Sequence, residues 1–163
     1  MKSFINKTAV FIASGFNAGY LPIGPGTWGA GTMAVAAWWL VDLPLVYYLA
    51  VIVFLFFLGA AVSGPADSYF SIKSGKAHDN DQIVIDEWMG MLITLLPFYY
   101  FGKSLPMLIV GFLLFRVFDT VKIGLVALAD RIDNRWGVMI DDLAAGLYAG
   151  IFFFLAIWFT KII

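Results

Sequence analysis

Two pairs of adjacent carboxylates stand out in a chain that is otherwise short of charge. Asp86 and Glu87 head the apolar run IVIDEWMGMLITLLP (Ile83–Pro97), and Asp141 and Asp142 head another, Asp141–Phe159. A charge at mid-bilayer costs roughly 2.5–3.5 kcal/mol on insertion scales, so paired acids at the mouth of an apolar segment call for a cation, a proton relay or a partner charge nearby. A further acid, Asp119, lies inside a third apolar run. Oxygen donors from three segments, with no His or Cys needed, form the ligand set of a hard divalent cation. Mg2+ is typically held by one or two carboxylates together with waters and substrate phosphate. Helix capping accounts for Asp86 and Asp141 singly. It does not account for doubled acids at two helix starts plus one within a span.

Cations stand beside these acids. Arg116, Asp119 and Lys122 follow one another at intervals of three, which puts them on one broad side of a helix. They read either as an internal ion-pair set or as Asp119 on a metal with Arg116 and Lys122 on a phosphate, for which the planar guanidinium fork suits two oxygens. The stretch LPIGPGTWG (Leu21–Gly29) leads into a helix. Backbone N–H groups at such a turn and helix start favour an anion, with Gly26 in that backbone and Thr27 as the hydroxyl donor. Other chemistries drop out. His78 is the only histidine, whereas His-based lipid phosphatases need several. Asp79-Asn80-Asp81 has a D-x-D shape, but no hydrophobic strand precedes it, and no P-loop, G-x-S-x-G or dinucleotide fingerprint appears.

The elements that must position these residues are membrane helices. Of 163 residues, 62% are hydrophobic and 13% charged, about half the charge of a soluble domain, and the mean hydropathy is +0.90. A single domain over residues 1–163 cannot bury that much apolar surface within itself, so lipid must solvate much of it. The net charge of −1 argues against a nucleic-acid partner. The absence of cysteine excludes disulfides and thiolate chemistry. Lys2 and Lys7 flank the short apolar stretch Ala9–Ala13. It is too short for a signal peptide and no A-x-A-like site follows it, so it reads as a short interfacial or re-entrant helix.

The expected fold is all-α: a polytopic membrane helix bundle of about four to five membrane segments plus that N-terminal helix. The segments are Trp28–Val41, Leu45–Val62, Ile83–Phe101, Leu105 to about Ala129, and Asp141–Phe159. The stretches Ser63–Gln82 and Asp130–Met139 read as polar loops. With alternate crossings, Lys2, Lys7, Lys73, Lys76, Arg131 and Arg135 fall on one face, and Lys103 and Lys161 on the other, which places the first face in the cytoplasm. Most acids fall on that same face, and Asp42 falls opposite. A continuous helix from Asp119 to Asp130 would put Asp119 roughly 15 Å deep, unless Gly124 breaks it. Small residues at four-residue steps (Asp142, Gly146, Gly150) and Gly90 read as close-packing positions. The alternative to an enzyme is an ion- or proton-coupled transporter; that reading expects acids spread across the membrane, whereas these gather at one side.

Four stretches in order, LPIGPGTWG, IVIDEWMGM (Ile83–Met91), FRVFDTVK (Phe115–Lys122) and GVMIDDLAAG (Gly137–Gly146), resemble the motifs of the phosphatidylglycerophosphatase A family. The resemblance covers most of the chain. It implies a Mg2+-dependent enzyme of the bacterial inner membrane that hydrolyses phosphatidylglycerophosphate to phosphatidylglycerol and phosphate. It points to Thr27, Asp79, Asp86, Glu87, Arg116, Asp119, Lys122, Asp130, Asp141 and Asp142. Glu87, Asp119, Asp141 and Asp142 would hold metal, as would Asp79 by the resemblance. Asp86 or Asp130 would act as base, or Asp86 as a further ligand; an aspartyl-phosphate intermediate is the other route. The chain departs from the family pattern at Ile123-Gly124-Leu125, where prolines usually follow Lys122, and at Asn80, which often is proline.

Overall fold

The computed structural model of the chain describes residues 2–74, 80–122, 124, 126–127 and 135–160. Its centre is a short helix, α4 (Ile85–Thr94), in which every residue but Glu87 is buried. A helix that is apolar nearly all round must be enclosed on all sides, and α4 packs against α2 (Pro25–Leu40), α3 (Leu45–Ser74), α6 (Leu105–Val121) and α7 (Arg135–Thr160). An N-terminal helix, α1 (Lys2–Ala13), lies against α3. A single 3₁₀ turn (Ala18–Tyr20) leads from it to α2. The described residues form helices, turns and loops only.

Two close approaches fix the core. A β-carbon on Gly146 of α7 would stand 2.6 Å from the Gly90 carbonyl oxygen, and one on Gly90 would stand 2.8 Å from the Asp142 carbonyl oxygen. The α4–α7 crossing is thus backbone on backbone, as the small-residue spacing anticipates. Thr94 spans the same crossing, donating to the Gly90 carbonyl at 2.9 Å and the Gly146 carbonyl at 3.4 Å. From α3, the buried Tyr48 hydroxyl donates to the Leu92 carbonyl at 2.8 Å, satisfying one of the last-turn acceptors of α4.

Several expected boundaries shift. The run Ile83–Phe101 is not one helix: α4 stops at Thr94, and a single turn, α5 (Phe98–Phe101), follows Pro97. Pro97 has no N–H to bond the Ile93 carbonyl, and its ring crowds that carbonyl, which breaks the run. The second segment continues past Val62 through Pro65 to Ser74, thirty residues in all. The fourth helix ends at Val121 rather than near Ala129. Lys122 caps it in the left-handed region (φ 47°), just ahead of Gly124. Asp119 therefore sits in the last turn of α6, close to a helix end and not deep within a span. Finally, α7 begins at Arg135, so Asp141 and Asp142 lie in its second turn instead of capping it.

The outer faces are apolar. Val53, Phe54 and Phe57 on α3, and Ile151, Phe152 and Phe159 on α7, are exposed. Two helical stretches, Leu45–Ile72 and Trp136–Thr160, are long and apolar enough to cross a bilayer. At 16 and 17 residues, α2 and α6 rise about 24–26 Å, short of a 30 Å hydrocarbon core. One end of the bundle is tied by Lys103, whose ammonium donates to the Trp38 carbonyl at 2.7 Å and pairs with Asp42. The starts of α2, α4 and α7 and the end of α6 gather at the other end.

Candidate active site

At that second end a cavity of about 430 Å³ is lined by Gly24, Pro25 and Gly26 from α2, Asp86 and Glu87 from α4, Arg116, Asp119 and Lys122 from α6, and Val138, Asp141 and Asp142 from α7. Each arrives by a local feature of its sequence. Gly24 adopts φ 74° as the N-cap of α2, and Pro25 opens the helix at a position where its missing N–H costs nothing. Val84, ahead of α4, donates its N–H to the Ala13 carbonyl at 2.9 Å, so the end of α1 fixes where α4 starts. Asp86 and Glu87 then occupy the first turn of α4, where the positive end of the helix dipole favours acids.

The five clustered acids fall into two groups. Asp119 Oδ2 pairs with Arg116 Nη1, and Asp141 Oδ2 pairs with Lys122 Nζ at 3.1 Å. These two are neutralised in place. Asp86, Glu87 and Asp142 instead offer ligand oxygens that all lie within 4.8 Å of one another. Asp86 and Asp142 are 8% and 4% exposed. Glu87 Oε2 and Asp142 Oδ2 are buried without a hydrogen-bond partner. Carboxylates this close and this dry repel one another unless a proton or a cation stands between them. A buried acceptor with no donor is correspondingly expensive. An oxygen-only donor set of this kind fits a hard divalent ion.

The backbone of α2 closes the other side. A β-carbon on Gly26 would collide with Glu87 Oε1 and stand 3.2 Å from Arg116 Nη1. Only glycine lets the first turn of α2 approach both the acid cluster and the arginine.

Of the sequence-predicted residues, Gly26, Asp86, Glu87, Arg116, Asp119, Lys122, Asp141 and Asp142 line this one cavity. Thr27 does not: it is exposed. Asp79 and Asp130 lie outside the described residues, as does His78. Two lining residues escaped the sequence reading. Asp81 stands exposed at the mouth. Asn80, 2% exposed, donates from Nδ2 to Asp67 Oδ1 at 2.7 Å and to Ser71 Oγ at 3.3 Å. The polar character of Asp67 and Ser71 late in an otherwise apolar helix was the one available signal for that anchor.

Comparison with known proteins follows this geometry. The family model of phosphatidylglycerophosphatase A matches residues 11–157. Phosphatidylglycerophosphatase A of Escherichia coli (strain K12) is 35% identical over 147 residues, covering 88% of this chain and 81% of the relative. That of Haemophilus influenzae is 34% identical over 149 residues, covering 88% and 85%. A Bacteroides thetaiotaomicron protein described as a candidate phosphatidylinositol-3-phosphatase is 32% identical over 154 residues, covering 91% and 93%. No solved structure matches the chain.

Proposed function

The chain belongs to the phosphatidylglycerophosphatase A family, and from that membership we propose that it hydrolyses phosphatidylglycerophosphate to phosphatidylglycerol and inorganic phosphate, with Mg2+, at the cytoplasmic end of a helix bundle in the bacterial inner membrane. As a member of this family it is an enzyme, a phosphoric monoester hydrolase. The observation that carries the site assignment is the division of the acids: two neutralised by Arg116 and Lys122, and three crowded together with two unpartnered buried oxygens.

Glu87 and Asp142, whose buried oxygens lack partners, would hold the ion, with Asp86 beside them as base. Bound there, Mg2+ supplies positive charge against the phosphoryl oxygens and makes water a better nucleophile. The remaining work belongs to the chain. Arg116 and Lys122 lie on the same cavity wall and take the other phosphoryl oxygens, while Asp119 and Asp141 hold their side chains in place. The start of α2, where Gly26 is the first residue with an N–H, faces the same anion. In the reaction a water oxygen bonds to phosphorus and the bond from phosphorus to the glycerol oxygen breaks. Asp86 takes the water's proton, and the leaving oxygen is protonated from solvent at the cavity mouth.

The membrane reading rests on α3 and α7, with the shorter α2, α6 and the broken α4–α5 unit completing four to five segments and α1 lying at the interface. The lysine and arginine distribution supports the cytoplasmic assignment of the site. The transporter alternative gains nothing from the relatives, and the described acids gather at one end of the bundle, with Asp42 at the other.

The test is phosphate release from phosphatidylglycerophosphate by purified protein in detergent. Release with Mg2+ that stops with EDTA is the expected result. Release that persists in excess EDTA removes the metal assignment, and no release at all removes the activity.

A further inference from the structure

We propose that a second, apolar cleft beside the catalytic cavity seats an acyl chain of the lipid substrate and makes the enzyme prefer long-chain phosphomonoester lipids over water-soluble phosphate monoesters. This rests on the lipid-phosphatase reading above. The cleft has a volume of about 570 Å³, and its walls include Gly15, Phe16, Leu21, Met33, Ala36 and Trp88. It runs between the turn after α1 and the middle of α2.

Its position beside the catalytic cavity identifies the occupant. Trp88, on its wall, follows Glu87 directly in α4. The two helices touch at successive turns: Gly26 packs on Glu87, and a β-carbon on Gly29 would stand 2.6 Å from Val84 Cβ. A β-carbon on Gly15 would likewise stand 2.8 Å from Val84 Cγ2 and 3.0 Å from Trp88 Cζ2. Val84 and Trp88 are therefore a partition, with carboxylates on one side and hydrocarbon on the other. The Trp88 indole N–H donates to Thr32 Oγ1 at 3.1 Å, which pins the ring to α2 and satisfies its polar edge. Met33 and Ala36 follow Gly26 by seven and ten residues, or about 10–15 Å along the helix axis. That is the direction and depth a chain must take when its headgroup sits at the start of α2. Holding the turn over the cleft has a conformational cost: Gly15, Phe16 and Asn17 are consecutive left-handed residues (φ 57°, 55° and 75°), a run that non-glycine residues rarely adopt. Another apolar hollow among the described residues, lined by Tyr99, Tyr100 and Phe154 among others, adjoins the far end of α4 and does not reach the acids.

Two measurements test this. In the first, wild-type protein is irradiated with a phosphatidylglycerophosphate carrying a photoreactive group on one acyl chain, and with a phosphatidylcholine carrying the same chain as control. Labelling of the Gly15–Ala36 and Trp88 peptides enriched several-fold over the control supports the cleft. Equal labelling by both lipids, or enrichment on Tyr99–Leu155, overturns it. In the second, Ala36→Phe, which narrows the cleft, is compared with wild type on long-chain and short-chain forms of the substrate. The ratio of the two kcat/KM values is expected to fall about tenfold, the effect of losing roughly two buried methylenes. A ratio within twofold of wild type overturns the proposal. The labelling measurement does not require turnover, so failure of the phosphatase reading, which appears as no phosphate release from either substrate, is distinguishable from failure of the cleft.

Discussion

Gly26 of α2 lies against the Glu87 carboxylate of α4 so closely that a β-carbon there would overlap Oε1. The contact joins the phosphate-facing helix start to the acid cluster with no intervening side chain. Gly26→Ala is expected to lower phosphate release about a hundredfold, the scale of an ångström-sized misplacement in an active site. Thermal stability should be kept, because the atom displaced is the end of the flexible Glu87 side chain rather than backbone. Activity and melting temperature measured on the same preparation check both halves. Full activity would mean that Glu87 has room the geometry denies it.

The three crowded acids make a prediction about stability as well as rate. If the ion binds there, Mg2+ at a hundred times its Kd should stabilise the wild type by about 2.7 kcal/mol. Glu87→Gln and Asp142→Asn should each lose that stabilisation, and on the order of a hundredfold or more of activity. In EDTA, however, each variant should melt no lower than wild type, since neutralising one acid relieves the repulsion among the rest. Melting curves with and without Mg2+ decide this. A variant that keeps the full Mg2+ shift would move the ion elsewhere.

The α4–α7 crossing should be intolerant of bulk. Gly146→Val would drive a branched side chain onto the Gly90 carbonyl and Cα, 2.6 and 3.0 Å from where its β-carbon must sit. Overpacking of this kind costs about 1–3 kcal/mol. Because Asp142 lies one turn before Gly146, the same displacement should weaken Mg2+ binding. Thermal unfolding in detergent and the Mg2+ dependence of rate measure the two effects. The contrasting control is Lys103→Ala at the opposite end. It removes an ion pair whose Asp42 partner is 62% exposed, and it should leave the rate unchanged.

Sequence alone made the acids, their cations and the close-packing glycines legible, because each signal is local: a doubled carboxylate, a three-residue spacing, a four-residue step of small side chains. It misjudged where the helices begin and end. Beyond Glu87 the run to Phe101 stays largely apolar on both sides of Pro97, so hydropathy gave no sign of the break that Pro97 imposes. Asp130–Met139 reads as loop because of the polar residues that open it, but the chain is helical from Arg135, which moves Asp141 and Asp142 off the helix start. The Arg116–Asp119 pair was one of two readings of their three-residue spacing, but the partner of Asp141 was not readable. Asp141 meets Lys122 only because α6 ends in a left-handed lysine, and that pairing is tertiary. The apolar cleft was invisible for the same reason, since its walls come from residues as far apart in the chain as Gly15 and Trp88.

The last prediction concerns the turn from Asn80 to Ile83, which lines the cavity. Asn80 anchors it, its Nδ2 2.7 Å from Asp67 Oδ1, and its carbonyl accepts from the Ile83 N–H at 2.9 Å. Asp81 stands on the cavity side of this anchor and Asp86 begins the helix beyond it, so Asn80 acts as a positioning residue. Asn80→Asp would set a carboxylate against Asp67. The lost donor and the new repulsion together should cost about 1–3 kcal/mol of local stability, seen as a fall in kcat/KM of about tenfold or more. Exchanging the partners, Asp67→Asn with Asn80→Asp, restores one donor and one acceptor and should recover most of the loss. A merely space-filling role would show no such recovery. Steady-state kinetics on the two single variants and the double variant form the cycle. If the double variant is as impaired as the sum of the singles, the hydrogen bond does not hold the turn.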